Sequence, residues 1–244
     1  MHRKFIAAAL AAALPMLASA ADLTVSAAAS LTNAFRELAQ SFEAAHPGNR
    51  VLLNFAASDP LVQQIAKGAP VDVFASADQE AMDKAANRNL LAAGTRRDFA
   101  SNTVVLIVPT GSKIASLADL HAAQRLTTGN PASVPIGRYT QEALAQAGLW
   151  RTLEPKFVFG TSVRQSLDYV ARGEADAGFV YATDVQAQKD KVKAVATIPT
   201  TLPVRYPIAV IANAQQPKLA RQFVDHAASG AGQAILAKYG FGKP

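Results

Sequence analysis

The stretch LTVSAAASLTNAFRELAQSFEAA, residues 23–45, predicts a short β-strand that leads almost directly into an amphipathic helix. Leu23–Ser26 is the strand, and from Leu31 onward the apolar residues recur with the helical period of 3.6. The apolar helical positions are Leu31, Ala34, Phe35, Leu38, Phe42 and Ala45. Pro47-Gly48 then ends the helix. This strand-then-helix unit is typical of α/β proteins.

The same alternation continues along the chain. The predicted strands are Val51–Phe55, Val71–Ala75, Thr103–Val108, residues 177–181 and Tyr206–Ala212. The predicted helices are Leu61–Lys67, Gln79–Ala86, Tyr139–Ala147, Val163–Arg172, Pro217–Ala228 and Gly232–Lys238. Because the pattern restarts after Pro109, we expect an α/β fold of two lobes, with mostly parallel strands and more than one crossing between the lobes.

The composition excludes several classes of protein. Half of the 244 residues are hydrophobic and only 17% are charged, which excludes a disordered chain. The absence of cysteine excludes a disulfide scaffold, a thiolate zinc site and a cysteine nucleophile. The formal net charge is +6, but the basic residues are scattered, so we expect no nucleic-acid partner.

The first twenty residues have the pattern of a secretory signal peptide. His2-Arg3-Lys4 gives a positive start, Phe5–Leu17 is almost purely apolar, and Ala18-Ser19-Ala20 supplies the small residues of a cleavage site. The apolar run is shorter than the ~20 residues that a membrane-spanning helix needs. We therefore expect export of the mature chain, most simply to a bacterial periplasm.

Residues typical of catalytic or metal sites are nearly missing. The three histidines after residue 20, His46, His121 and His226, are not spaced like metal ligands, and we expect them at the surface. No nucleophile elbow, Walker-type phosphate loop or Rossmann glycine fingerprint is present. The sequence thus predicts no catalytic residue, no cofactor and no site for a metal cation.

Several predicted helices instead begin just after a strand, with small polar residues at the junction. Ser30, Ser58-Asp59-Pro60, Thr161-Ser162 and the segment Val134–Gly137 occupy such positions. Helix N-termini carry unpaired N–H groups and partial positive charge, so several that converge make an anion site without a cation. In α/β sheets such a point lies beyond the carboxyl ends of the strands.

Five segments carry a resemblance to a known family. AAASLTNA (residues 27–34) and GAPVDVFASAD (residues 68–78) are the most specific, and VPIGRY (134–139), GFVY (178–181) and KYGF (238–241) follow in order. Together they resemble the periplasmic molybdate-binding proteins of ABC importers over essentially the whole mature chain. The resemblance implies a type II periplasmic-binding-protein fold, with the ligand in a cleft between two α/β lobes.

The resemblance also implies which groups hold the ligand. They are the hydroxyls and amides of Ser30 and Ser58 from the first lobe, and the backbone N–H of Ile136, the backbone N–H of Val163 and the hydroxyl of Tyr181 from the second. The implied first lobe is residues 21–102 with 204–244, and the implied second lobe is residues 103–203, with hinges near 101–103 and 203–206.

The implied function is that of a receptor, not an enzyme. It would bind molybdate, together with tungstate, and deliver it to an inner-membrane ABC permease from the periplasm of a Gram-negative bacterium. Receptors of this kind are usually monomers, so we expect a monomer.

Asp59 departs from the family pattern, which usually has small neutral residues after the second serine. A carboxylate within ~4 Å of a dianion would cost several kcal/mol at an effective dielectric constant of about 20. We therefore expect Asp59 to turn outward as the N-cap of the helix at Pro60. The alternative is a site that prefers a ligand carrying a proton.

Three other functions remain open on the sequence. The first is a receptor of the same fold for sulfate, phosphate or ferric iron, although iron capture typically uses paired tyrosines and no two tyrosines are adjacent here. The second is an enzyme on this fold, of which the dipyrrole-carrying type requires a cysteine. The third is a structural or adhesive secreted protein, which would lack a ligand cleft.

Overall fold

The computed structural model describes residues 21–244, so the predicted signal peptide lies outside the described residues. The strands are β1 (Asp22–Ala28), β2 (Arg50–Ala56), β3 (Val73–Ala75), β4 (Arg97–Asn102), β5 (Val104–Pro109), β6 (Leu126–Gly129), β7 (Phe157–Gly160), β8 (Ala177–Tyr181), β9 (Val192–Ile198) and β10 (Val204–Val210). The α-helices are α1 (Thr32–Ala45), α2 (Ser58–Ala66), α3 (Gln79–Asn87), α4 (Pro135–Gln146), α5 (Trp150–Leu153), α6 (Val163–Ala171), α7 (Ala182–Val185), α8 (Pro217–Ala228) and α9 (Gly230–Lys238). None of the helices in residues 21–244 combines the length and apolar character needed to cross a membrane.

The strands form two five-stranded sheets with the same topology. The first has the order β2-β1-β3-β10-β4 and the second the order β7-β6-β8-β5-β9. The fourth strand in each order, β10 or β5, is antiparallel to both of its neighbours. The other pairs are parallel, so four of the five strands in each sheet run in one direction.

The chain crosses twice between the sheets. Only Thr103 separates the end of β4 in the first sheet from the start of β5 in the second, and β9 leads back to β10 through residues 199–203. Because β4 runs with the majority of its sheet and β5 runs against the majority of its own, the carboxyl edges of the two sheets face each other. Ligand sites of α/β proteins lie at such edges.

Apolar packing fixes the helices that carry the first sheet's functional turns. Phe35 and Phe42 of α1 meet Phe223 of α8 edge to face, and Phe35 also meets Phe99 of β4, with ring centroids 5.2–6.1 Å apart. All four side chains are completely buried. In the second sheet Val104–Val108 of β5 is buried throughout. These cores hold the strand ends that surround the cleft.

The predicted two-lobed α/β fold, with mostly parallel strands, is confirmed. Its long helices lie where the 3.6 periodicity placed them, to within a few residues at their ends. Strands β4, β6, β7 and β9 were not predicted, because they are short or carry polar side chains on an exposed face. The predicted hinges and the exact limits of the lobes stay predictions.

Candidate anion-binding site

A small cavity lies between the two lobes, at the facing carboxyl edges of the sheets. It is lined by Ala28, Ala29, Ser30, Ala57, Ser58, Ala77, Val134, Pro135, Ile136, Val163 and Tyr181. The five residues predicted to hold a ligand are therefore all brought together, two from the first lobe and three from the second. The unfilled space is about 200 Å³ with its solvent-open part included. The small size of the cavity and its few polar side chains suit a small ion better than an organic ligand.

The first turns of four helices contribute residues to the cavity wall. Ser30 lies in a single 3-10 turn before α1, Ser58 is the first residue of α2, and Val163 is the first residue of α6. Ile136 is the second residue of α4, which starts with Pro135. Within residues 21–244, the N–H groups of Ile136 and Val163 have no protein acceptor, as expected for the first turn of a helix. They remain available to an anion.

Gly137 allows the start of α4 to sit close to the sheet. A Cβ atom at this position would lie 2.1 Å from the carbonyl oxygen of Gly129, the last residue of β6. Only a residue without a side chain fits there. The close approach of Gly137 to β6 thus positions the N–H of Ile136 at the cavity.

The Ser58 hydroxyl is oriented by the backbone. Its oxygen accepts a hydrogen bond of 3.1 Å from the N–H of Ala77, and the side chain is completely buried. Since the oxygen already accepts from the protein, the hydroxyl proton of Ser58 is free to be donated into the cavity.

The Tyr181 hydroxyl is buried and has no hydrogen-bond partner in the described chain. Burial raises the pKa of Tyr181 well above its ordinary value of 10.0, so the phenol keeps its proton. An unpaired buried hydroxyl costs free energy. Tyr181 therefore offers an unused hydroxyl donor on a residue that lines the cavity.

The Ser30 hydroxyl contacts a residue far away in sequence. Ser30 Oγ lies 3.0 Å from Tyr206 Oη, and Asn102 Nδ2 donates to the same phenol oxygen over 3.2 Å. Asn102 Nδ2 also donates to Thr183 Oγ1 of the second lobe over 2.8 Å. Tyr206 is completely buried, and burial raises its pKa well above 10.0.

The prediction for Asp59 was half right. Its carboxylate is not among the residues that line the cavity, as expected. It is not an N-cap, however, since α2 begins at Ser58 with Ala57 in the cap position. Asp59 instead accepts from Arg138 of the second lobe at 2.7 Å and from Lys84 at 2.6 Å. Lys84 and Arg138 therefore compensate the negative charge of Asp59, a residue that the family pattern does not usually have at this position.

Arg138 links the lobes beside the cavity. Besides Asp59, its Nη2 and Nε donate to Asp78 over 2.6 and 2.9 Å. Asp78 is buried, caps α3 by accepting from the N–H of Ala81, and has its pKa raised by desolvation in spite of the guanidinium. Arg164, on α6 of the second lobe, donates to Asn33 Oδ1 of the first lobe over 3.1 Å. The two second-lobe helices whose first turns line the cavity, α4 and α6, therefore each carry an arginine that bonds to the first lobe.

Among residues 21–244, no charged side chain lines the cavity, and the polar side chains on its wall are the hydroxyls of Ser30, Ser58 and Tyr181. The described residues also contain no group of three or more His, Asp or Glu side chains that could hold a metal ion. The arrangement offers neutral hydrogen-bond donors from both lobes to one small guest.

The family model described as bacterial extracellular solute-binding protein matches residues 23–242. The chain belongs to this family. This solute-binding protein is 37% identical over 235 residues to the molybdate-binding protein ModA of Escherichia coli (strain K12), with 92% of this chain and 90% of that protein covered.

Two solved structures share the fold of this solute-binding protein. The periplasmic molybdate-binding protein of Azotobacter vinelandii has a TM-score of 0.80 at 24% identity, covering 91% of this chain and 99% of that one. The sulfate-binding protein SubI of Mycobacterium tuberculosis H37Rv also has a TM-score of 0.80, at 20% identity over 91% of this chain and 86% of that one. Since one fold serves different ligands, the ligand must be argued from the chemistry of the site.

Sequence reasoning missed the residues that support the cavity of this solute-binding protein. The roles of Tyr206, Asn102 and Arg138 were not predicted, although each lies in a segment described above. Tyr206 begins the predicted strand Tyr206–Ala212, Asn102 lies in the predicted hinge at 101–103, and Arg138 lies in the VPIGRY segment. Their partners are between 60 and 176 residues away. No local pattern signals a contact at that distance, and only the fold brings the atoms together.

Proposed function

We propose that this solute-binding protein is a receptor that binds molybdate and delivers it to an ABC permease in the bacterial inner membrane. The observation that carries the proposal is the unpaired, buried hydroxyl of Tyr181 in a cavity whose other polar side chains are the serines Ser30 and Ser58. The identity of 37% to a molybdate-binding protein over nearly the whole chain supports the same ligand.

The donor set suits a fully deprotonated oxyanion. Molybdate at neutral pH is a tetrahedral dianion with four acceptor oxygens and no proton to donate. A site of hydroxyl and amide donors satisfies those oxygens. A protonated oxyanion such as hydrogen phosphate would instead place its own O–H group against a donor of the protein. An unmet hydrogen bond of that kind costs about 1–3 kcal/mol.

Sulfate is the main alternative ligand, because it carries the same charge and no proton at neutral pH. Its shorter bonds would leave some of the donors out of reach in a cavity sized for molybdate, so size is the feature that separates the two. Tungstate is nearly equal in size to molybdate, and we expect it to bind as well.

Ferric iron is disfavoured by the state of the tyrosines. Tyr181 and Tyr206 are far apart in sequence but their rings lie 5.8 Å apart in the fold. Burial raises the pKa of both phenols, and Tyr206 Oη already bonds to Ser30 and Asn102. Iron would require phenolates, which this environment disfavours.

An enzymatic role is disfavoured by the partners of the two serines. Ser30 Oγ meets the Tyr206 phenol and Ser58 Oγ meets the Ala77 amide. Neither partner is a base that could take a serine proton, so neither hydroxyl is activated as a nucleophile. The same hydroxyls serve well as neutral donors to a bound anion.

Binding should be coupled to closure of the two lobes, residues 21–102 with 204–244 and residues 103–203. Because the donors come from both lobes, the ligand contacts the closed form more fully and stabilises it. The permease would then recognise the closed, loaded receptor. We expect the receptor to act as a monomer in the periplasm.

A thermal-shift screen of residues 21–244 tests the proposal. Molybdate, tungstate, sulfate, phosphate and chromate are compared at equal concentration. Stabilisation by molybdate and tungstate well above that by the other three supports the assignment. A larger shift with sulfate or phosphate would reassign the ligand, and no shift with any oxyanion would favour an enzyme or a structural protein.

A further inference from the structure

We infer that Tyr206 and Asn102 are positioning residues that form a hydrogen-bond relay, which commits the Ser30 hydroxyl to donating its proton to the bound oxyanion. The inference rests on the proposed function and deepens it. It makes the relay Asn102 to Tyr206 to Ser30 a source of selectivity against oxyanions that carry a proton.

The orientation of Asn102 is set by the backbone. The N–H of Thr103 donates to Asn102 Oδ1 over 2.9 Å. The amide nitrogen must then face the other way, where it donates to Tyr206 Oη and to Thr183 Oγ1. The Asn102 side chain therefore meets Tyr206 as a donor.

The direction of the next bond follows from the proton count on Tyr206. Its phenol oxygen has two polar neighbours in the described chain, Asn102 Nδ2 and Ser30 Oγ, and it accepts from the first. Tyr206 is completely buried and protonated, so its own proton needs an acceptor. Ser30 Oγ is the acceptor within reach.

Ser30 is thereby left with a proton directed away from Tyr206. Its hydroxyl has no other side-chain or backbone partner in residues 21–244, and the residue lines the cavity. The second serine reaches the same state by a different route, since Ser58 Oγ accepts from the N–H of Ala77. Both serines are held as donors, one by a side-chain relay and one by the backbone.

This arrangement has a consequence for selectivity. A free serine hydroxyl can rotate to accept a proton from a ligand such as hydrogen phosphate. Ser30 Oγ could still accept a ligand proton beside the Tyr206 proton, because a serine oxygen can accept two hydrogen bonds. The hydroxyl proton of Ser30 would then have no acceptor, since the bond between the two hydroxyls already carries the Tyr206 proton. The relay thus penalises a protonated ligand beyond what the bare donor set does.

The test compares Tyr206→Phe with the wild-type protein, both as residues 21–244. Dissociation constants for molybdate and for phosphate are measured by calorimetry at pH 8, where phosphate is mainly doubly charged hydrogen phosphate. We expect Tyr206→Phe to weaken molybdate binding about tenfold and to reduce the preference for molybdate over hydrogen phosphate. In a Ser30→Ala background the same substitution should leave the preference unchanged, because the relay acts through Ser30.

Tyr239→Phe is the matched control. It removes a tyrosine hydroxyl that donates to Glu37 Oε2 over 2.7 Å and belongs to a residue that does not line the cavity, and it should leave both constants unchanged. Equal molybdate affinity and equal preference in Tyr206→Phe and wild type would overturn the relay while leaving the proposed function intact. Absence of molybdate binding by the wild type would instead overturn the proposed function.

Asn102→Asp provides a second variant should Tyr206→Phe fold poorly. The carboxylate accepts where the amide donated, so Tyr206 would turn its proton to residue 102 and release Ser30 Oγ. The added charge repels molybdate and hydrogen phosphate alike, and cancels in their ratio. A reduced ratio supports the relay, and a ratio equal to that of the wild type contradicts it.

Discussion

Tyr181 and Tyr206 meet edge to face in the interior, with ring centroids 5.8 Å apart and planes at 64°, yet their hydroxyls have opposite surroundings. Tyr206 Oη bonds to Ser30 and Asn102, whereas Tyr181 Oη has no partner in the described chain. The Tyr206 hydroxyl is bonded within the protein, whereas the Tyr181 hydroxyl is left free to bond to a ligand. The free energy of folding and the free energy of binding should therefore respond differently to the loss of each hydroxyl.

Tyr181→Phe should weaken molybdate binding by about 1–3 kcal/mol without lowering the stability of the ligand-free protein. The hydroxyl that is removed makes no hydrogen bond to the described protein, so folding loses nothing with it. Calorimetric titration gives the affinity, and urea unfolding without ligand gives the stability. A variant that is less stable without ligand yet binds molybdate normally would contradict this role of Tyr181.

Ser58→Ala should lower both quantities. The N–H of Ala77 would lose its acceptor in a buried position, which costs about 1–3 kcal/mol of unfolding free energy, and the ligand would lose a donor. Ser112→Ala is the control, since Ser112 Oγ also accepts from a backbone N–H, that of Ile114, but Ser112 does not line the cavity. The control should keep full affinity. Unchanged binding in Ser58→Ala would remove this serine from the site.

Arg138→Met should weaken ligand binding by about 1–3 kcal/mol, a value between those of exposed and buried ion pairs. The guanidinium joins α4 to Asp59 and Asp78 of the first lobe, and its loss leaves two carboxylates near a dianion. A double-mutant cycle with Asp59→Asn measures the coupling. Arg96→Met serves as the control, because Arg96 pairs with Asp83 within the first lobe. Equal affinities for wild type, Arg138→Met and Arg96→Met would show that the contact between lobes does not support binding.

Gly137→Ala should reduce affinity and stability together. The new methyl group would meet the Gly129 carbonyl at 2.1 Å and push the first turn of α4, with the Ile136 N–H, away from the cavity. Gly111→Ala has open space around its Cβ and should be neutral in both measurements. Normal molybdate affinity in Gly137→Ala would mean that the position of this turn is not important for binding.

Much of the fold could be predicted from local sequence patterns. A buried apolar run indicates strands such as β5, and apolar residues with a period of 3.6 indicate helices such as α1 and α8. Five of the residues that line the cavity were also named in advance, because the resemblance to a known family implied them: Ser30, Ser58, Ile136, Val163 and Tyr181. Asp59 was placed with the wrong partner, as its ion pair with Arg138 spans 79 residues of sequence. The Ser30–Tyr206 bond spans 176 residues, and only the packing of β10 beside β3 and β4 creates it.

We propose that neutral donors from two lobes hold molybdate in the cavity between Ser30, Ser58, Ile136, Val163 and Tyr181. Crystals of residues 21–244 grown with molybdate, and measured at wavelengths on either side of the molybdenum absorption edge, locate the metal centre of the anion directly. We predict one strong anomalous peak inside the cavity, with its oxygens within hydrogen-bond distance of donors from both lobes. A peak elsewhere on the protein, or an empty cavity at saturating molybdate, would contradict binding of molybdate at this site.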